Sequence, residues 1–180
     1  MVKWISSFIS WLIRTFYLRR VTGKENLKDI EGSIISANHA SYLDHFIILA
    51  LLEGVIDRKK IYFLTKKEAF QTPFTKWWHE MMQGIPLDRD GNATSSLRKI
   101  VKHLKQGDVV VIYPEGTRTR TGLIGHGSDG AVTVATITGA PVIAFGIKGA
   151  FDGLPLTSQL GLPERFDLKV VNIVHSRLKN

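Results

Sequence analysis

Residues 38 to 44 read NHASYLD, with a histidine, His39, five positions before an aspartate, Asp44. A histidine held against a carboxylate is equipped to move protons. Regular structure does not bring these two together. On a helix five residues turn them off a common face, and on a strand an odd separation puts them on opposite faces. They meet only where the chain bends, with His39 ending one element and Asp44 opening the next. A plainer reading is equally well formed. Ser41, an acid three residues on and the apolar run FIILALL have the shape of a helix N-terminal capping box. In isolation the cap is favoured, and the rest of the chain decides.

Other residues add charge at strand ends. YPEGTRTRTG (113–122) follows the run VVVIY directly, so Pro114 and Gly116 turn the chain while Glu115, Thr117, Arg118 and Arg120 supply charge and hydroxyls. An arginine fork there suits a phosphate, because the guanidinium matches two phosphate oxygens; a solvated turn is the plainer alternative. GIPLDRDG (84–91) offers Arg89, which could equally pair with Asp88 and Asp90, and LTKKEAF (64–70) offers Lys66 and Lys67. Several motif matches fail. GHGSDG (125–130) has the spacing of a dinucleotide fingerprint but no strand directly before it, and reads as a flexible loop entering a helix at 131–138. HEMM (79–82) lacks the second histidine of a zinc protease, and DRDG (88–91) lacks most of a calcium loop. His45, His103, His126 and His175 show no ligand spacing, so no structural metal is expected.

The elements that would position these groups alternate. SIISA (33–37), IYFLT (61–65), VVVIY (109–113), PVIAFGI (141–147) and DLKVVNIV (167–174) read as strands. Residues 42–53, 73–83 and 93–106 read as helices, the second opened by Pro73 and the third stopped by Gly107. This order predicts an α/β layered domain with a largely parallel central sheet flanked by helices. Ligands of such sheets bind beyond the carboxyl ends of the strands, where NH and PEG both fall.

With 180 residues the chain suits one domain, and 44% hydrophobic content excludes disorder. The absence of cysteine excludes disulfides and thiolate chemistry. A net charge of +8 attracts polyanions without choosing among them. The positive charge is dispersed, which argues against a nucleic-acid module. The first twenty residues, MVKWISSFISWLIRTFYLRR, set Trp4, Phe8, Trp11 and Phe16 at helical spacing, with Arg19 and Arg20 behind. The apolar stretch is shorter than the ~20 residues a bilayer span needs. Its aromatics suit a helix lying in the membrane interface, although such a helix more commonly packs on its own core. Residues 1–20 are therefore expected to form an interfacial helix and residues 21–180 a single domain, with removal of 1–20 leaving that domain folded.

Taken in order, these pieces resemble the glycerolipid acyltransferase family, best known for lysophosphatidic acid acyltransferases. Its four blocks are matched by Asn38, His39 and Asp44 of N-H-x-x-x-x-D, by Arg89 of IPLDRD, by Pro114 through Arg118 of P-E-G-T-R, and by Pro141 of APVIA. The resemblance covers roughly residues 24 to 150, and among its departures a Phe-Lys-x-Gly stretch common in the family is GSDG (127–130) here, without the lysine. It implies that His39 acts as general base on the hydroxyl of a lysophospholipid attacking an acyl thioester. Asp44 would orient the ring, and Arg118, Arg89 and Lys66 would grip the acceptor phosphate. Glu115 would orient Arg118 or a substrate hydroxyl, Asn38 would brace the His39 turn, and Gly116 and Thr117 would support the loop. No cofactor is implied beyond the thioester, carried by coenzyme A or an acyl-carrier protein. The implied place is the cytoplasmic face of a membrane, peripheral or monotopic. A different lysolipid acceptor, or an idle lipid-binding protein of the same fold, is the alternative.

Overall fold

A computed structural model describes residues 2–88, 93–153 and 166–174, with side chains described for 7–88 and 94–152. The chain opens with α1 (Val2–Leu12), extended by a π turn over Ile13–Tyr17, then β1 (Leu18–Thr22), β2 (Ile34–Ala37) and α2 (Asp44–Leu52). There follow β3 (Ile61–Lys66), α3 (Pro73–Met81), β4 (Gly84–Leu87), α4 (Ala93–Lys105) and β5 (Val109–Ile112). The last are α5 (Gly130–Thr138), β6 (Val142–Lys148), the single turn α6 (Ala150–Gly153) and β7 (Phe166–Val174).

The seven strands form one sheet in the order β1-β7-β6-β2-β5-β3-β4. β6, β2, β5, β3 and β4 run parallel, while β7 is antiparallel to β6 and carries β1 parallel to itself at the far edge. The α/β expectation with a largely parallel sheet is met. The central strands are buried on both faces, so they read as unbroken apolar runs rather than as alternation. Val109 and Val111 join Ile35, Phe63 and the apolar side of α2 in one core, while Val110 and Ile112 join Ile34, Ile100, Leu104 and Val134 in the other. Period-two alternation along β5 thus fills both layers with one valine-rich strand.

The N-terminal segment departs from expectation. Ile13 is buried in the core shared with α2, and the aromatic side is turned out: Phe8 is 57% exposed, Trp11 45% and Phe16 58%. The helix packs on the protein, as the commoner use of such a pattern has it, and still presents an aromatic face to solvent. The side chain of Trp4 lies outside the described residues. Helix gives way to strand at Leu18, so residues 18–20 belong to the sheet edge. Removing residues 1–20 would take three of the five β1 residues and the core side chain of Ile13, so the remainder would lose part of its sheet edge and core. Among the described residues no helix is long and apolar enough to cross a membrane.

Candidate active site

β2 ends at Ala37, the chain turns through 38–43, and α2 begins at Asp44. That bend brings the pair together: His39 Nδ1 lies 2.7 Å from Asp44 Oδ2. The same oxygen accepts the backbone N–H groups of Ala40 at 2.7 Å and Ser41 at 2.8 Å. Asp44 is fully buried, and three nitrogens converge on one of its oxygens. With Nδ1 donating to the carboxylate, Nε2 carries the free lone pair; the tautomer follows from the partner. The capping box is half present. Asp44 reaches back to the Ser41 N–H, but the Ser41 hydroxyl accepts from Leu43 N–H at 3.1 Å, two residues on, and not from the third.

Neighbouring strand ends hold this turn. Asn38 locks β2 to β6, its Nδ2 donating to Ile147 O at 2.9 Å and its Oδ1 accepting from Ile147 N–H at 2.7 Å. Glu115 does not pair with Arg118. Its Oε1 accepts the His39 N–H at 2.7 Å and its Oε2 the Gly125 N–H at 2.8 Å, so it clamps the histidine turn to the loop after β5. Of the two roles expected of it, orienting Arg118 is not seen, and its oxygens hold backbone N–H groups instead. Gly116 closes the turn on Tyr113 O with φ +65°, a left-handed conformation glycine adopts without strain.

Beside this turn opens a cleft of about 690 Å³. His39, Lys66, His79, Thr117 and Arg118 bring polar and charged groups to its wall, and Phe46, Leu64, Phe74, Trp78 and Met82 bring apolar ones. Arg118 lies with its guanidinium carbon 3.4 Å from the centre of the Tyr42 ring, a cation–π contact that leaves its N–H fork for a ligand. No carboxylate of the described residues pairs with it. Lys66 is exposed at the end of β3, while its neighbour Lys67 is engaged with Asp88 at 2.8 Å. Arg89 lies outside the described residues.

Sequence reasoning missed what the fold packs beneath His39. Tyr113 stacks on the histidine ring with centroids 4.0 Å apart and planes at 16°. Its burial, and the Asp44 charge, push the phenol well above its ordinary range, so it is a protonated donor. Neither its hydroxyl nor Asp44 Oδ1 has a protein partner. His45 packs on Phe63 at 4.5 Å, and burial, reinforced by His39, His79 and Arg118, lowers its pKa to about 3, so it stays neutral. Burial also lowers His79, with Arg118 adding to the effect. The only hints in the sequence were adjacency: Tyr113 stands before the PEG turn and His45 after Asp44. No group of metal-ligating side chains occurs among the described residues.

A partly buried, carboxylate-held imidazole opening on a cleft with an unpaired guanidinium can deprotonate a hydroxyl on an anionic molecule. The comparisons agree in direction. The model of the Acyltransferase family matches residues 18–148. The chloroplastic 1-acyl-sn-glycerol-3-phosphate acyltransferase of Arabidopsis thaliana is 31% identical over 162 residues, covering 88% of this chain and 44% of that one. The Bacillus subtilis 1-acyl-sn-glycerol-3-phosphate acyltransferase is 31% identical over 137 residues, 76% of this chain and 66% of its own. The chain therefore spans about half the length of its plant relatives. The crystal structure of the 1-acyl-sn-glycerophosphate acyltransferase from Thermotoga maritima superposes with a TM-score of 0.73 at 25% identity, covering 99% of this chain and 73% of that one.

Proposed function

The chain belongs to the acyltransferase family, and from that membership we propose that it moves a fatty acyl group from an acyl thioester to the free hydroxyl of a lysophospholipid. The acceptor is 1-acylglycerol-3-phosphate and the product phosphatidic acid. The observation that carries this reading is the 2.7 Å His39–Asp44 contact at a cleft that also holds Arg118.

His39 Nε2 takes the proton of the acceptor hydroxyl as that oxygen attacks the thioester carbonyl. The resulting imidazolium faces the Asp44 carboxylate, which stabilises it as in a Ser-His-Asp triad. The tetrahedral intermediate collapses by breaking the carbon–sulfur bond, and the imidazolium returns its proton to the departing thiolate. The acceptor itself replaces an enzyme nucleophile, so no covalent acyl-enzyme is formed. Coenzyme A or an acyl-carrier protein carries the donor, and no cofactor takes part. Arg118 takes the phosphate with Lys66 and Arg89 assisting, while the apolar wall around Phe46, Trp78 and Met82 receives hydrocarbon.

Arg118→Ala is expected to raise KM for 1-acylglycerol-3-phosphate by ~10–100-fold, the loss of a charge-assisted hydrogen bond or two. KM for a phosphate-free monoacylglycerol should be nearly unchanged. Initial rates with both acceptors check this, and an equal effect on the two would remove the phosphate from the role of Arg118.

The acceptor and the product are membrane lipids, and the aromatic face of α1 supplies a dock at the cytoplasmic surface of the membrane. Phe8 and Trp11 stack at 5.8 Å and Trp11 meets Phe16 edge-on at 6.0 Å, a continuous apolar strip on the exposed side. Phe8→Ser with Trp11→Ser keeps Ile13 in the core, unlike a deletion. Cosedimentation with anionic vesicles should weaken by ~10-fold or more, since each side chain buries 150–250 Å² when covered. Undiminished binding would refute the dock.

A further inference from the structure

The loop between β5 and α5 is tied down on both sides, yet it turns two aliphatic side chains into solvent. Leu123 is 74% exposed and Ile124 76%. Before them, the Thr119 N–H donates to His39 O at 2.9 Å. The Thr119 and Thr121 hydroxyls accept the N–H groups two residues on, of Thr121 and Leu123, at 3.2 and 3.4 Å. Gly122, at φ +80°, lies against Phe151, where a Cβ would come within 3.1 Å of the ring. After them, Gly125 is bound to Glu115. A segment held at its base while its apolar tip stands in water opposes the hydrophobic effect unless something covers the tip.

The surroundings say what covers it. The loop leaves the wall of the cleft at Thr117 and Arg118 and stays tied to His39 and Glu115, so it stands at the same end of the sheet as the cleft. Phe74, which lines the cleft, is 68% exposed on α3, and its neighbour Trp77 is 46% exposed and lies against it, tilted, at 5.9 Å. The strand register brings the N-terminal segment to the same edge. Leu18 pairs with Phe166, and the next residue, Asp167, faces Lys148 at the end of β6. Phe16 is therefore at that end of the sheet too. Three separate elements raise apolar tips at one end of the sheet, which fits a fluid surface and not a single protein ligand. Residues 117–128 carry Arg118 and Arg120 and no acid, the charge that anionic headgroups attract.

We propose that Leu123 and Ile124 form a second membrane contact at the mouth of the cleft, seated in the interface of an anionic bilayer while lipid enters. This rests on the reading that the acceptor is a membrane lipid. It differs from the N-terminal dock in its consequence. Glu115 binds Gly125 with one oxygen and the His39 backbone with the other, so seating the tip steadies the turn that carries the base.

The chain has no cysteine, so Ile124→Cys introduces a single thiol for an environment-sensitive fluorophore. On phosphatidylglycerol-containing vesicles the label should shift to the blue, brighten several-fold and be quenched by spin-labelled lipid. In parallel, Leu123→Ser with Ile124→Ser should raise the half-saturating concentration of acceptor presented in vesicles by ~10-fold. Turnover of a monomeric short-chain 1-acylglycerol-3-phosphate should stay within about twofold. A label that keeps its aqueous emission with vesicles present, or responds to an acyl-carrier protein instead, would overturn the proposal. So would an unchanged vesicle response in the double variant. If wild type turned over no acceptor at all, the acyl-transfer reading would fail, while the fluorescence would still decide the contact.

Discussion

His39→Ala should lower acceptor-dependent thiol release from an acyl thioester by ~10²–10⁴-fold, the usual contribution of a positioned general base. The loss should appear in kcat with KM for both substrates little changed, because the ring holds a proton in the transition state and contributes little to ground-state binding. The fold should survive. His39 is only partly buried, and the backbone contacts of its turn, from Glu115 to its N–H and from Thr119 to its carbonyl, do not use the side chain. Circular dichroism beside the kinetic assay separates a missing base from a missing fold. A variant with wild-type turnover would mean that the histidine is a strut.

Asp44→Asn distinguishes the two roles one carboxylate plays. An asparagine can place its amide oxygen where Oδ2 stands and keep the bonds from His39, Ala40 and Ser41. Its amide nitrogen then replaces Oδ1, which is buried with no protein partner, and a buried donor without an acceptor costs about 1–3 kcal/mol. The variant should therefore fold with a Tm lower by roughly 2–10 °C. Turnover should fall much further, by ~10²–10⁴-fold, because no negative charge remains to stabilise the imidazolium. If Asp44 only started α2, turnover would be preserved while the Tm shift remained. Thermal melts and initial rates on one preparation read both effects.

The aspartate opens the helix and holds the histidine at once, so the competing readings of NHASYLD describe two faces of one group. Spacing alone could not reveal that. His103 and Asp108 repeat the separation of five, and their Nδ1–Oδ2 contact of 2.8 Å nearly equals that of the first pair. Yet His103 lies in the last turn of α4 and Asp108 leads into β5, at the opposite end of the parallel strands, and the imidazole packs on Tyr62 at 3.8 Å outside the cleft wall. What separates a proton-transfer pair from a structural clamp is which end of the parallel strands it occupies.

The buried strands and most helices were legible because burial on both faces demands continuous apolar runs. The two strands that escaped, β1 and β4, are the two edges of the sheet. Edge strands need little apolar character. LRRVT shows two arginines to solvent, and GIPL contains Pro86, which an edge tolerates because an edge strand leaves N–H positions without a partner. In the site, the residues that bend, pair or turn were visible as motifs. Tyr113 beneath His39, neutral His45 and the Glu115 bridge were not, since each depends on a contact between elements far apart in the chain. Glu115 shows the limit best: its neighbour Arg118 was the natural partner by sequence, and the fold spends both its oxygens on backbone N–H groups of other segments.

Thiol release from a long-chain acyl-coenzyme A, followed with and without 1-acylglycerol-3-phosphate and with the lipid product identified by mass spectrometry, tests acyl transfer most directly. The expected result is release that requires the acceptor, matched mole for mole by phosphatidic acid. Release indifferent to the acceptor, or none from either coenzyme A or carrier-linked donors, would contradict it and leave a lipid-binding protein that keeps the fold without the reaction.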